Sequence, residues 1–378
     1  MVNDVKPKVV VAMSGGVDSS VTALLLHRAG YQVIGVTLRL YNLDQEELPS
    51  SYQGCCTLDD VEDARRVCGI LEVPHYVLDM RRQFESYVID YFLEEYRNGN
   101  TPHPCIACND KIKFAFLAQR AEFLGAKYVA TGHYARIQNR DGSHHLLKGL
   151  DTKKDQSYVL YGMGQEELGR TLMPVGWYSK PDIRSLANNA GFPNADKPDS
   201  QDICFIPLGD YRKFIKERIT PTSGRLITTD GIEVGRHSGI EMFTVGQRRG
   251  LGVSSSTPLY VTSIDSKSGD VTIGSEEHLY QEFLPMSHIN FISGIPPING
   301  SSVSVKIRYK SPEVPAKFFH DKDNVYLRFA NPQRAVTPGQ AAVLYHEEEV
   351  LGGGRISRFP ETSKTSNRPY IHEIHARP

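Results

Sequence analysis

A chain of 378 residues, 40% hydrophobic and 23% charged, has room for two or three domains and the composition of a soluble globular protein. Its formal net charge of −1 excludes bulk electrostatic attraction as a way of holding nucleic acid, although local basic clusters can still grip a phosphate backbone. There is no charged-then-apolar leader and no apolar run of membrane-spanning length, so a cytoplasmic protein without a membrane partner is expected. Six cysteines are too few for a secreted disulfide framework. They point instead to core packing, metal binding or redox chemistry in a reducing compartment.

The first informative stretch is KVVVAMSGGVDSS, Lys8 to Ser20. A short apolar run reads as a buried parallel strand. Ser14-Gly15-Gly16 then permits a tight turn and close approach of a ligand to the backbone. The helix expected from Val17, with Val21, Leu24 and Leu25 inward and Gly30 as its stop, offers open N–H groups to a phosphate. Asp18 adds a carboxylate able to help hold Mg²⁺. Neither G-x-G-x-x-G nor the Walker pattern is present. The run S-G-G-V-D-S instead resembles the pyrophosphate loop of enzymes that split ATP between the α- and β-phosphates.

Downstream, the pattern predicts a strand over 32–38, a helix capped by Thr57 and Asp60 and running through Leu71, and a strand over 75–78. An aromatic-rich helix over 84–97, a helix over 111–124 stopped by Gly125 and a strand over 128–131 follow. Alternating strands and helices imply an α/β, Rossmann-like parallel sheet with ligands beyond the carboxyl ends of its strands. There the Ser14–Ser19 loop, Leu38 and Thr131-Gly132-His133 converge. A helical region is expected from Ile183 toward Cys204. From Ile206 the texture changes. A basic helix over 211–219 precedes an Asp230-Gly231 hairpin signal, and Ser254–Ser256 is a flexible break. Beyond Pro285, alternating strands over 303–309, 316–320, 324–329 and 341–345 suggest a small antiparallel barrel or sandwich. Residues 285–378 carry 12 basic against 8 acidic groups. The boundaries expected are 1–204 for the nucleotide domain, 205–284 for a small central α+β domain, 285–360 for the barrel and 361–378 for a polar tail.

Two cysteine sites stand out. Cys105 and Cys108 are three apart in Thr101-Pro102-His103-Pro104-Cys105-Ile106-Ala107-Cys108-Asn109, read as a proline-stiffened loop before a helix. That helix start, with Lys111 and Lys113, is expected to depress the Cys108 pKa. Cys204 lies far along the chain in Ser200-Gln201-Asp202-Ile203-Cys204-Phe205. One C-x-x-C pair is not a complete zinc site. Cys68 is expected in the core, and Cys55-Cys56 suggests no role.

Taken together these segments resemble the bacterial-type tRNA-specific 2-thiouridylase family over nearly the whole chain. The residues that carry the resemblance are AMSGGVDS (Ala12–Ser19), TPHPCIACNDKIKF (Thr101–Phe114), ATGHYA (Ala130–Ala135) and KDQSY (Lys154–Tyr158). SQDICF (Ser200–Phe205), GRHSGIEMFTVGQRRGLG (Gly235–Gly252) and AVTPGQ (Ala335–Gln340) complete the set. The resemblance implies ATP-dependent 2-thiolation of a tRNA wobble uridine. ATP activates the C2 oxygen as an adenylate, and a Cys204 persulfide then delivers sulfur with Cys108 as partner nucleophile. It allows a disulfide between the two. It also implies a sulfur-donor protein, either a persulfide carrier or a cysteine desulfurase. ATP would meet Ala12, Met13, Ser14, Gly15, Gly16, Val17, Asp18, Ser19, Leu38 and Gly132. The tRNA would meet His133, Lys154, Asp155, Gln156, Arg308, Tyr309 and Gln340, and the target base His103, Pro104 and Cys105. Arg308-Tyr309 also suits RNA on chemical grounds, pairing a cation with a stacking ring.

One departure concerns the base-contacting loop. It reads Asn-Pro-Asp in the best-known members and His103-Pro104-Cys105 here, so a candidate acid/base carboxylate is replaced by a thiol. Three cysteines (105, 108, 204) are then available, and an alternative places a [4Fe–4S] cluster on them. Two further alternatives are another ATP pyrophosphatase acting on a small molecule, which would leave Cys108 and Cys204 without a task, and a non-catalytic RNA-binding protein.

Overall fold

A computed structural model describes residues 7–41, 58–199, 203–206, 210–321 and 324–359; Cys55, Cys56 and the 361–378 tail lie outside them. Val9, Val10 and Val11 of β1 (Lys8–Ala12) are fully buried, as the continuous apolar run requires of a central parallel strand. Around it lie β2 (Gln32–Arg39), β3 (His75–Asp79), β4 (Tyr128–Ala130) and β7 (Thr171–Leu172), in the order β3–β2–β1–β4–β7 and all parallel. The chain winds outward from β1 to β3 and returns to β4 on the other side. The switch point therefore falls between β1 and β4, where the Ser14 loop and Gly132 emerge.

Helices α1 (Val17–Arg28), α2 (Leu58–Ile70) and α5 (Lys180–Asn189) cover one face through Val21, Leu24, Val67, Cys68 and Ile183. Leu25, expected inward, is only half-buried, and Leu26 is buried in its place. Helix α3 spans 81–97 and α4 spans 104–123, each α-helical at its ends with a π-helical stretch between, Glu85–Ile89 in α3 and Cys108–Phe116 in α4. The helix expected to start at Lys111 thus starts at Pro104. Proline at the first helical position has its φ preset and no N–H to leave unpaired. Cys105 and Cys108 consequently lie inside a helix, and the helix start that was to activate Cys108 lies four residues before it.

In the central region α6 (Tyr211–Lys216) packs near a four-stranded sheet of order β10–β11–β8–β9. Its strands are β8 (Gly224–Thr228), β9 (Glu233–His237), β10 (Tyr260–Ile264) and β11 (Val271–Gly274), with the expected hairpin turning at Asp230-Gly231. The last two strands had no counterpart in the sequence pattern. Six antiparallel strands then close a barrel: β12 (Tyr280–Phe291), β13 (Ser302–Lys306), β14 (Val314–Asp321), β15 (Asn324–Arg334), β16 (Ala341–His346) and β17 (Glu349–Ile356). The order is β12–β15–β14–β13–β16–β17, and β12 pairs back with β17.

Strand β17 runs through Gly352-Gly353-Gly354, which reads as loop. Here it is demanded by crowding, since a Cβ on Gly352 would lie 2.2 Å from Asn290 O and one on Gly353 2.7 Å from Ala342 O. A hairpin from the first domain, β5 (Ala135–Arg140) and β6 (Ser143–Lys148), extends the barrel sheet beyond β17. It turns on Asp141 (φ 50) and Gly142 (φ 84), the left-handed pair that a two-residue hairpin requires.

The largest core cluster joins Phe84, Phe92 and Cys108 to Phe205, Phe214, Leu226 and Val271, so it bridges the first and central regions. Phe205 is its hinge, with ring centroids 5.6 Å from Phe84, 5.4 Å from Phe92 and 5.2 Å from Phe214. Phe205→Ala is expected to cost about 3–5 kcal/mol. A thermal melt should show a clear fall in unfolding temperature, and an unchanged melt would contradict this packing.

Candidate active site

The nucleotide loop is held by its own hydroxyls. Ser14 N–H donates to Ser19 Oγ (3.2 Å), and Ser19 and Ser20 hydroxyls donate to Gly16 O (2.9 and 3.1 Å). No side chain caps α1 at Gly16, so the first N–H groups of a twelve-residue helix stay open to an anion. Gly15 has φ +75, and a Cβ there would lie 2.3 Å from Asp60 O of α2. Gly132 packs directly on the helix start, where a Cβ would fall 2.8 Å from Ser19 N. Met13 N–H donates to Val36 O, and Ala12, Met13 and Leu38 line the strand ends beside the loop.

Asp18 in the first turn of α1 accepts from Tyr134 Oη (2.7 Å) and from Lys180 Nζ at both oxygens (2.8 and 2.9 Å). Lys180 is buried, and its ammonium also lies 2.6 Å from Asp199 Oδ1. Asp199 in turn takes Lys154 at 2.6 Å and Arg184 at 3.6 Å. Its carboxyl pKa is lowered, because hydrogen bonds and charge from Lys154 and Lys180 outweigh a desolvation that alone would raise it. The result is one line of alternating charges, Asp18–Lys180–Asp199–Lys154, from the loop to the surface. Sequence reasoning missed Lys180, Tyr134 and Asn194, whose Nδ2 donates to Gly15 O (2.8 Å) and Ser20 Oγ (2.9 Å). The available signal for Lys180 was Ser179-Lys180-Pro181-Asp182, a capping box with proline in the first turn.

The thiols divide by exposure. Cys105 is exposed, Cys108 is buried, Cys204 is half-buried, and Cys68 is buried in a different cluster under α2. All four are thiols. Desolvation pushes Cys68 up to about 11, which suits its expected place in the core. Cys204 and Ile203 pack against the cluster that contains Cys108, and Leu38 packs against that cluster too. The strand end beside the nucleotide loop and the two thiols therefore share one hydrophobic wall. Among the described residues no three His, Cys, Asp or Glu side chains gather as a metal site requires. Cys105, Cys108 and Cys204 are thus not a preformed cluster site.

The base-loop residues lie at the start of α4. His103 Nδ1 is buried with no hydrogen-bond partner beyond its own residue. Its ring packs against Tyr158 (5.8 Å) and Tyr309 (6.2 Å), and burial pulls its pKa down to about 4, so the imidazole is neutral. The barrel braces this loop, with Gln340 Nε2 donating to Thr101 O (2.8 Å) and Pro102 O (3.2 Å). His133 is buried with Nδ1 2.8 Å from Thr131 Oγ1, and burial and Lys113 hold its pKa well below the usual range. Asp155 accepts from Gly149 N–H, Ser157 N–H and Ser157 Oγ, and Gln156 Oε1 accepts from Tyr134 N–H. Arg308 donates to Ala335 O, and Tyr309 Oη to Asp155 O at 3.4 Å. Of the seven residues expected at tRNA, Lys154 and Arg308 are half-buried, with Lys154 paired to Asp199; Gln156 and Gln340 bond backbone, and Asp155 bonds backbone, the Ser157 hydroxyl and Lys306.

A cavity of about 880 Å³ borders α4, lined by Tyr91, His103, Ala107, Asp110, Tyr161 and Arg355 among others. Burial pushes the Asp110 carboxyl up to about 6.

Three family models match: "tRNA methyl transferase HUP domain" over residues 7–208, "tRNA methyl transferase PRC-barrel domain" over 212–275 and "Aminomethyltransferase beta-barrel domain" over 281–356. The tRNA-specific 2-thiouridylase MnmA of Roseiflexus sp. (strain RS-1) is 45% identical over 372 residues, covering 93% of this chain and 99% of the relative. That of Carboxydothermus hydrogenoformans is 47% identical over 362 residues, covering 93% and 98%.

Two predictions follow from the geometry. Lys180→Met should leave Asp18 and Asp199 facing each other without their shared cation, weakening ATP binding in a titration and lowering the melting temperature. Asp110 has a folded pKa above its unfolded one, so its favourable contribution is complete below about pH 4 and lost as pH rises through about 6. Asp110→Asn should therefore stabilise the protein at pH 8, by at most about 3 kcal/mol, with the gain shrinking toward pH 4 in thermal melts.

Proposed function

The chain belongs to the tRNA-specific 2-thiouridylase family; it is a tRNA-uridine 2-sulfurtransferase, and we propose that it works in two halves. The first is built on the Ser14–Ser19 loop and the second on Cys108 and Cys204. ATP binds with its phosphates at the open N–H groups of α1 and its nucleoside between Ala12–Val17, Leu38 and Gly132. The wobble uridine's C2 oxygen attacks the α-phosphorus, pyrophosphate leaves and the N3 proton is lost. A carbonyl oxygen is a poor leaving group, and as AMP it becomes a good one.

Lys180 supplies the buried positive charge beside the loop as charge develops on the phosphates. Mg²⁺ would offset the charge of the phosphates when bound. The carboxylate at the loop that fits it is Asp18, now held by Lys180 and Tyr134.

In the second half a persulfide on Cys204 places its outer sulfur on C2 and AMP leaves. Cys108 thiolate then attacks the Cys204 sulfur, so that the sulfur stays with the base and N3 regains its proton. A persulfide carrier or cysteine desulfurase reloads Cys204. The tRNA phosphates fall to Lys154 and Arg308, with Tyr309 as a stacking ring and His133, Asp155, Gln156 and Gln340 shaping the surface. The target base enters beside His103, Pro104 and Cys105.

The observation that carries this reading is the shared wall on which Cys204, Cys108 and Leu38 pack. Their packing on one cluster supports sulfur delivery on the side of the sheet where β2 ends. A small-molecule ATP pyrophosphatase has no use for that pair. The family-model descriptions speak of methyl and aminomethyl transfer, whereas the ATP loop and the two thiols suit sulfur transfer.

Mass spectrometry of tRNA nucleosides after incubation with ATP, Mg²⁺ and a sulfur donor is the test. The protein should yield 2-thiouridine. Asp18→Ala should lose pyrophosphate release, and Cys108→Ser should keep it while losing product. A normal 2-thiouridine yield from Cys204→Ser would refute the persulfide route.

A further inference from the structure

The persulfide route has a consequence for Cys105. When Cys108 attacks the Cys204 sulfur, the departing bond sends its electron pair to the sulfur on the base, and Cys108 and Cys204 are left joined as a disulfide. Each turnover oxidises two enzyme thiols, and Cys204 cannot be reloaded until that disulfide opens.

A third thiol stands where it can open it. Cys105 and Cys108 are three residues apart in the α-helical first turn of α4, and Cys108 N–H donates to both Cys105 O and Pro104 O. Ideal helix geometry gives this spacing a Cα separation of about 5 Å, inside the roughly 4.4–6.8 Å that disulfides span. The two differ in access, for Cys105 is exposed and Cys108 buried. An exposed thiol in the first turn of a helix and a buried one three residues later is the arrangement of a redox dithiol. Cys204 packs against the cluster that holds Cys108, whereas Cys68 belongs to another core and is out of reach.

We propose that Cys105 is the resolving thiol of this enzyme and that Cys105 and Cys108 form a redox-active pair. This rests on the persulfide reading above. Cys105 thiolate attacks the Cys108 sulfur, the Cys105–Cys108 bond forms, the Cys108–Cys204 bond breaks and Cys204 leaves as a thiolate. The exchange needs no oxidant or reductant, because one disulfide replaces another. A dithiol reductant from solution then attacks the exposed Cys105 sulfur, Cys108 leaves as thiolate, and the reductant closes its own disulfide. Cys204 is thereby returned to its thiol form before any external reductant acts.

The test uses the full chain with Cys204 charged by a cysteine desulfurase and cysteine. One round with tRNA, ATP and Mg²⁺ is run without reductant, quenched with iodoacetamide and read by non-reducing peptide mass spectrometry. The protein should end with Cys105 and Cys108 linked and Cys204 alkylated. Cys105→Ser should end with Cys108 crosslinked to Cys204, and in continuous turnover with limiting dithiothreitol its persulfide-charged fraction should fall roughly tenfold. A natural-sequence protein ending with Cys108–Cys204 linked and Cys105 alkylated would overturn the proposal.

A second arm titrates resting Cys204→Ser with glutathione redox buffers, where the Cys105–Cys108 disulfide should form reversibly; its failure to form at any ratio overturns the proposal whatever the RNA shows. If that disulfide forms but charged protein makes no 2-thiouridine, the persulfide reading has failed, and the resolving role falls with it.

Discussion

A lysine ammonium removed from water is costly unless it is paired, and removing one partner of such a pair is worse than never burying it. Lys180 meets that condition with three carboxylate oxygens from two parts of the chain, Asp18 in the first turn of α1 and Asp199 just before the Cys204 segment. The start of α1, the position of α5 and Asp199 are fixed with respect to one another by this single cation. Tyr134 adds a hydroxyl to the same carboxylate, and with it the strand end after β4. The loop's own hydroxyls close its turn, and a charge roughly 160 residues downstream fixes that turn against α5, held because its desolvation leaves it nowhere else to go.

The barrel has a supporting part in the same site. Gly339 closes on Asn100 and Thr101 so tightly that a Cβ would lie 2.8 Å from Asn100 Cβ, and Gln340 ties down the carbonyls of Thr101 and Pro102. The loop that leads into α4 is therefore shaped by a domain that contributes no thiol and no part of the nucleotide loop. Tyr158 donates to Ala341 O (2.8 Å), and Asn290 Nδ2 donates to Tyr161 O (2.7 Å). These bonds extend the brace along the 157–163 segment that backs His103.

The parallel sheet, the nucleotide loop and the closed barrel were legible because each has a local signature, either an apolar run ending in Ser-Gly-Gly or alternation in the later strands. What failed did so for identifiable reasons. Asn109-Asp110 looks like a helix start, yet Pro104 had already begun the helix. Asp141-Gly142 carries the same hairpin signal as Asp230-Gly231, but its strands are polar on one side and pair outside their own domain, so periodicity was weak. Gly352–Gly354 carries no local strand signature, because the reason for three glycines, close contact with Asn290 and Ala342, lies in tertiary structure. Lys180 shows the general limit. Nothing local separates a buried bridging lysine from a surface one.

The hairpin of β5 and β6 reaches across to β17, with Leu147 opposite Glu349, Arg136 3.0 Å from Glu348 and His145 2.7 Å from Glu349. The partners are separated by roughly 200 residues of chain, which a ribosome takes about 10–40 s to add. Through that interval the first domain waits with a strand edge unpaired, the kind of edge that invites pairing with another chain. The parallel sheet can form early, but the hairpin joins its own sheet only once β17 has been made. The nascent protein is most exposed to misassembly not while its nucleotide fold is being made, but during the long delay before the barrel arrives to receive it.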